Sequence, residues 1–232
     1  AGPINLGNVR LKPPKGIGLS IETKVVKGGG FLQFDPDNDR YAGGLELTIN
    51  DKISVKAIGL LRTRLPDGTK KLSLLILVTA EFSPIQLGFG FVLMGVGGLL
   101  GIHRTYLSDK LKEGIKNNSL DRILFPENIV ENANQIVQDL RETFPPQEGI
   151  FLIGPVGKLG WGSPTLITVK LGLIVEIKTK PVSLGKLAII GVIKAVLPSE
   201  DNDLVKLQIN FVGEILISEK LITFDASLYD SR

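Results

Sequence analysis

The chain has 232 residues, 27 basic against 24 acidic side chains for a net charge of +3, 43% hydrophobic and 22% charged residues, and no cysteine. That length and apolar content bury a real core and exclude a disordered chain. The near balance of charge gives no electrostatic footprint for nucleic acid, and the lack of cysteine removes disulfides, thiolate metal sites and cysteine nucleophiles. Aromatic residues are only 6%, so the apolar content is Leu, Ile and Val, which suits strands.

The sequence begins at Ala1 with no basic-then-apolar leader, as expected of a mature product or an excised domain. Its basic excess is local: Arg10, Lys12, Lys15, Lys24 and Lys27 stand against Glu22 in residues 1–27, and six basic groups stand against Asp67 in residues 52–71. Solvated strand faces are the expected reason for both, the alternative being contact with an anionic surface or lipid headgroup. Residues 16–103 read as strands. Ile17, Leu19, Ile21, Thr23 and Val25 alternate with small or polar residues, and so do Leu45, Leu47 and Ile49. Ile53, Val55, Ala57 and Leu61 continue the pattern with Ser54, Lys56 and Arg62 on the other face. Asp67-Gly68 in "LPDGTK" marks a hairpin turn. Beyond it Leu72, Leu74, Ile76, Val78, Ala80 and Phe82 make one clean face, with Leu75 and Leu77 on the nominally polar side.

"GFGFVLMGVGGLLGIHR", residues 88–104, carries six glycines in seventeen residues. As a dinucleotide loop it lacks a helix start after the glycines and a βαβ setting. As a membrane helix, the 21 uncharged residues from Phe82 to Ile102 are long enough, but glycine makes them a weak helix. Alternation of Phe89, Phe91 and Leu93 with Gly88, Gly90 and Val92 predicts a buried strand over Gly88–Leu93, with Gly97-Gly98 as the turn leading out of it.

Residues 105–146 change period. Leu107, Leu111 and Ile115 fall four apart, and Ile129, Ala133, Ile136, Val137, Leu140 and Phe144 form a helical stripe ended by Pro145-Pro146. Residues 150–232 return to period two, with Ile167–Ile177, Val205–Phe211 and Ile222–Leu228 as strands, a turn at 198–203, and a stretch at 187–197 with apolar residues on both faces, as expected of a central strand. The expected architecture is α+β, mainly β: two antiparallel β-meanders forming a curved sheet or open barrel with an aliphatic concave face, separated by a helical pair. It is read as one domain over 1–232, with β regions at 16–103 and 150–232 and a helical insert at 105–146.

Polar site chemistry is sparse. Asp35, Asp37, Asp39 and Glu46 match calcium-loop spacing, but Arg40 replaces the required glycine and strands flank the loop. His103 is the single histidine, so a two-histidine metal site is excluded, and no G-x-S-x-G elbow accompanies it. His103-Arg104 is expected to be a structural polar pair, with Arg104 capping carbonyls or pairing with Asp109. Trp161, the single tryptophan, joins Phe89, Phe91 and Leu93 as an apolar-ligand or packing surface.

"LGFGFVLMGVGGLLGIHR", "LFPENIVENANQIVQDLRETFPP", "GPVGKLGWGSPTLI" and "FDASLYDSR" together resemble an uncharacterised domain family of very large bacterial and some fungal proteins. That resemblance implies a piece of something longer and brings no catalytic residue. The functional expectation is a non-enzymatic structural or assembly module that encloses or conveys apolar cargo such as lipid, the alternative being a hydrolase of unfamiliar type using His103. No cofactor, nucleic acid or transmembrane helix is expected; partners are neighbouring domains of the same chain, self-association or lipid.

Overall fold

The computed structural model describes residues 16–199, 202–229 and 231. Arg10, Lys12, Lys15 and the centre of the 198–203 turn lie outside them. Eleven strands pair antiparallel in chain order to form one sheet whose two edge strands do not meet. They are β1 (Gly16–Glu22), β2 (Val26–Asp35), β3 (Arg40–Ile49), β4 (Ile53–Arg62), β5 (Ser73–Gly88), β6 (Phe91–Arg104), β7 (Pro146–Trp161), β8 (Ile167–Thr179), β9 (Val182–Ser199), β10 (Asn202–Leu216) and β11 (Leu221–Leu228). Three helices, α1 (Ser108–Asn117), α2 (Ser119–Leu124) and α3 (Ala133–Thr143), lie between β6 and β7 in sequence. Because β6 and β7 pair directly, the two expected meanders are one sheet. The helical region holds three helices where a pair was expected.

Local chemistry sets the hairpins. Asp67 accepts the Thr69 N–H at 2.9 Å and Gly68 takes a φ of 88° between β4 and β5. Thr23 Oγ1 accepts the Val26 N–H at 2.9 Å between β1 and β2. The glycine-rich stretch differs from its sequence reading. Phe89 and Gly90, with φ of 52° and 81°, form the two-residue turn between β5 and β6. Gly97 and Gly98 lie in mid-strand, opposite Thr79 and Val78. Glycine is needed at Gly97 because a Cβ there would lie 2.4 Å from the Val78 carbonyl oxygen.

The helices cover one face only. Their core is Leu111, Ile115, Leu120, Leu124, Ile136 and Leu140, set against sheet residues such as Ile58, Leu77, Leu152, Ile190 and Val212. Ile129, buried just ahead of α3, donates its N–H to Glu46 of β3 at 2.9 Å. α3 begins at Ala133, four residues later than the stripe suggested, because Asn128–Asn132 close a separate turn. The helices reach both ends of the sheet: Gln33 of β2 bonds Asn134 of α3, and Lys112 of α1 pairs with Asp225 of β11. Ten strand spacings of ~4.8 Å span ~48 Å, and three helices side by side cover ~30 Å. The sheet therefore bends around them, and its other face is convex.

Strand alternation was read correctly, but the faces are exchanged. In β5 the buried residues are Ser73, Leu75, Leu77 and Thr79, while Val78 of the expected core face is exposed. The helix-covered concave side is a mixed face of aliphatic and charged residues, and the charge-free apolar face is the uncovered one.

Candidate functional site

Direct cross-strand pairing places Ile17, Leu32, Gly43, Gly59, Ile76, Leu100, Ile153, Val175, Leu187, Ile215 and Ile222 in one row on the convex face, one residue from each strand. Nine are aliphatic and two are glycine. The other paired positions of this face add aromatic residues such as Phe34, Tyr41, Phe82, Phe211 and Phe224, and none is Asp, Glu, Lys or Arg. Taking strands of ~10 residues, the face outlines an area on the order of 1,500 Å². The largest apolar patch on an ordinary monomer is about 300–600 Å².

The β5–β6 hairpin extends this face into open space. Residues 83–91 are all exposed and uncharged, and Ile85, Leu87, Phe89 and Phe91 lie among them. Phe89 is 99% exposed at a left-handed φ of 52°, a conformation that suits Asn or Asp and costs a bulky side chain. Phe91 pairs directly with Trp161, and the Trp161 Nε1–H donates to the Phe89 carbonyl at 3.2 Å. Phe91, Leu159, Trp161, Ile167 and Val169 line an apolar cavity of about 280 Å³. The structure thus brings Phe91 and Trp161 together and holds the Phe89 turn beside them. Leu93 lies further along β6, opposite Leu159. A side chain at Gly90 would meet the Trp161 ring at 3.2 Å and a φ of 81°, so its obstacle is backbone strain at an exposed turn and not a packed interior.

Beneath the helices lies the polar counterpart. Asp121 of α2 pairs with Lys170 of β8 and Lys194 of β9, both at 2.6 Å. Burial alone would raise the Asp121 carboxyl, but the two lysines outweigh it and hold it below the usual range. Glu81 likewise accepts from Lys158 and Lys56; burial opposes its ionisation, and the lysine bonds prevail and lower it. Thr105 and Lys186 engage buried Glu176. Glu214 is buried with neither carboxylate oxygen bonded among the described residues. Burial, then the Glu214 and Glu176 carboxylates, push the Tyr106 phenol well above its ordinary value. The sequence showed these Lys and Glu residues only as the polar half of each strand, and only Leu75 and Leu77 among them on β5 pointed to a covered face.

The His103-Arg104 pair separates. His103 Nδ1 accepts the Gly149 N–H at 3.0 Å, and its ring tilts against Phe151 at 6.4 Å. Arg104, 3% exposed, donates through Nη1 to the Phe144 carbonyl at 2.9 Å. Burial, with Arg62 and Arg141 nearby, lowers the Arg104 guanidinium to about 10. Asp35 accepts from Asn38, and Asp39 accepts from Thr63 and Arg64, so the acidic turn is engaged by its own hairpin.

A family model described as a family of unknown function (DUF6603) matches residues 1–232. No curated protein and no solved structure matches the chain. No helix among the described residues is long and apolar enough to cross a membrane, which says nothing of strands.

Proposed function

We propose that this chain, which belongs to the DUF6603 family of unknown function, is a non-enzymatic β-rich module that lays its convex sheet face against lipid acyl chains. The carrying observation is the charge-free face that runs across all eleven strands while the ionisable residues lie beneath the helices. In water such a face is costly. Polar inside and apolar outside is the arrangement of sheets that meet lipid. The helices fill the concave side, so cargo enclosed there is disfavoured and the lipid contact moves outside.

Two further features support lipid over a second rigid sheet. A convex face meets another copy of itself along a narrow strip, whereas acyl chains conform to it. Phe89 stands fully exposed in a backbone geometry that an aqueous turn would give to Asn; an aromatic ring there suits an apolar medium. Flotation of the purified chain with neutral phosphatidylcholine vesicles tests the reading. The wild type is expected to float. Val78→Glu with Ile189→Glu, at positions 41% and 46% exposed, should stay at the bottom with its fold intact by circular dichroism. Phe89→Asn should melt higher and bind vesicles less. A wild-type chain that stays monomeric and never floats overturns the reading. A stable dimer split by the same glutamates would replace lipid with a second sheet.

A further inference from the structure

The strand ends opposite the Phe89 hairpin hold a different surface. Arg40 opens β3, Arg62 closes β4 and is its direct partner, Arg104 closes β6, and Arg141 belongs to the last turn of α3. All four line one cavity of about 300 Å³, together with Tyr41, Leu60, Leu61, Glu142 and Pro146. None makes an ion pair within 4 Å among the described residues. The lining carboxylate, Glu142, is already held by Gln138 at 2.8 Å and Lys110 at 3.4 Å. Asp35 reaches Arg141 only through space.

Buried guanidinium groups normally have every donor met. Here the Nε–H groups of Arg62 and Arg104 are buried without a partner among the described residues, although Arg104 is almost wholly enclosed. We infer that this cavity is a binding site for a phosphate-class oxyanion, with Arg62 and Arg104 as its buried donors and Arg40 and Arg141 at its mouth. Guanidinium forks match the oxygens of phosphate in spacing and charge. Four cations gathered with no carboxylate within 4 Å of them among the described residues repel one another, and a dianion removes that cost. The repulsion shows in Arg141 as well, whose guanidinium is lowered by burial and then by Arg40, with Asp35 opposing. The size lies at the lower end of small-ligand pockets.

Tyr41 and Leu61 belong to the convex face, so the cavity opens where the apolar face ends. The phosphate could therefore arrive free or on a lipid headgroup. The site rests on its own residues; only the headgroup source also depends on the lipid reading. Thermal shift with inorganic phosphate against chloride at equal ionic strength tests the first source. Flotation with phosphatidic acid in phosphatidylcholine against phosphatidylcholine alone tests the second. Phosphate is expected to raise Tm of the wild type. Arg62→Gln and Arg141→Gln should melt higher than the wild type without phosphate and bind it about tenfold more weakly or worse. That opposite sign separates an anion site from four arginines that merely stabilise the fold. A phosphate shift with no preference for phosphatidic acid assigns free phosphate. A preference lost in Arg141→Gln and kept in Lys178→Gln assigns the headgroup. A phosphate shift without any vesicle binding keeps this site and removes the lipid reading. Equal shifts by acetate, equal losses in Lys178→Gln, or no response to phosphate in either form overturn the proposal.

Discussion

Phe89 and Glu214 each break a local rule. Phe89-Gly90 is a two-residue hairpin turn with both residues at positive φ, yet the sequence hides it. The first position of such a turn favours Asn or Asp, and phenylalanine alternating with glycine reads as a strand. Glu214 breaks the rule that buried polar groups are hydrogen-bonded. Its neighbours across the sheet are Ala188 and Thr223, and neither oxygen has a hydrogen bond among the described residues. Glu214→Met, of similar length, should therefore raise stability by about 1–3 kcal/mol. Urea unfolding measures it; a loss of stability would mean that the carboxylate is satisfied.

The strands and helices were legible because each carries its period. The stripe from Ile129 to Phe144 identified α3, although its start was misplaced by the Asn128–Asn132 turn. Ile136 is buried between α3 and the rest of the core. Ile136→Asp replaces packed methyl groups with an unpaired charge and should cost about 4 kcal/mol or more, read as a lower Tm. An unchanged Tm would place that face of α3 in water. What period two cannot supply is which half of each strand goes inward, when both halves hold aliphatic residues. Leu75 and Leu77 were visible on the polar side of β5 and were the signal of the inversion, since a solvated face has no use for two adjacent leucines.

Across the whole molecule, the covered ion pairs, between sheet and α2 at Asp121 and within the sheet at Glu81, tie stability to pH. Asp121 and Glu81 have ordinary values of 3.8 and 4.5, and both lie lower in the folded chain. Their contribution is fully present above those ordinary values. It is lost as pH falls through the lowered folded values, because the unfolded state takes up the protons first. Tm is expected to hold above pH 4.5 and drop below it. Glu81→Gln should be less stable than the wild type at neutral pH and converge on it in acid. A gap that stays constant through the acid range would show that Glu81 contributes no charge pairing.

Composition, period and turn chemistry by themselves determined a mainly β chain, its strand segments, the helical stretch and the scarcity of catalytic side chains, because each depends on residues near one another in sequence. Tertiary structure alone decided that β6 pairs with β7 across a 41-residue connection, which joins two meanders into one sheet. It also decided that the helices settle on the side bearing Lys56, Glu81, Lys170 and Glu176. Those charges find partners on neighbouring strands and on α2, so burying them costs less than the sequence suggests. With that choice made, the aliphatic face is left outside and four arginines, separated by up to 101 positions, meet at one end of the sheet. No local pattern encodes that meeting; it follows from the order in which the strands pair.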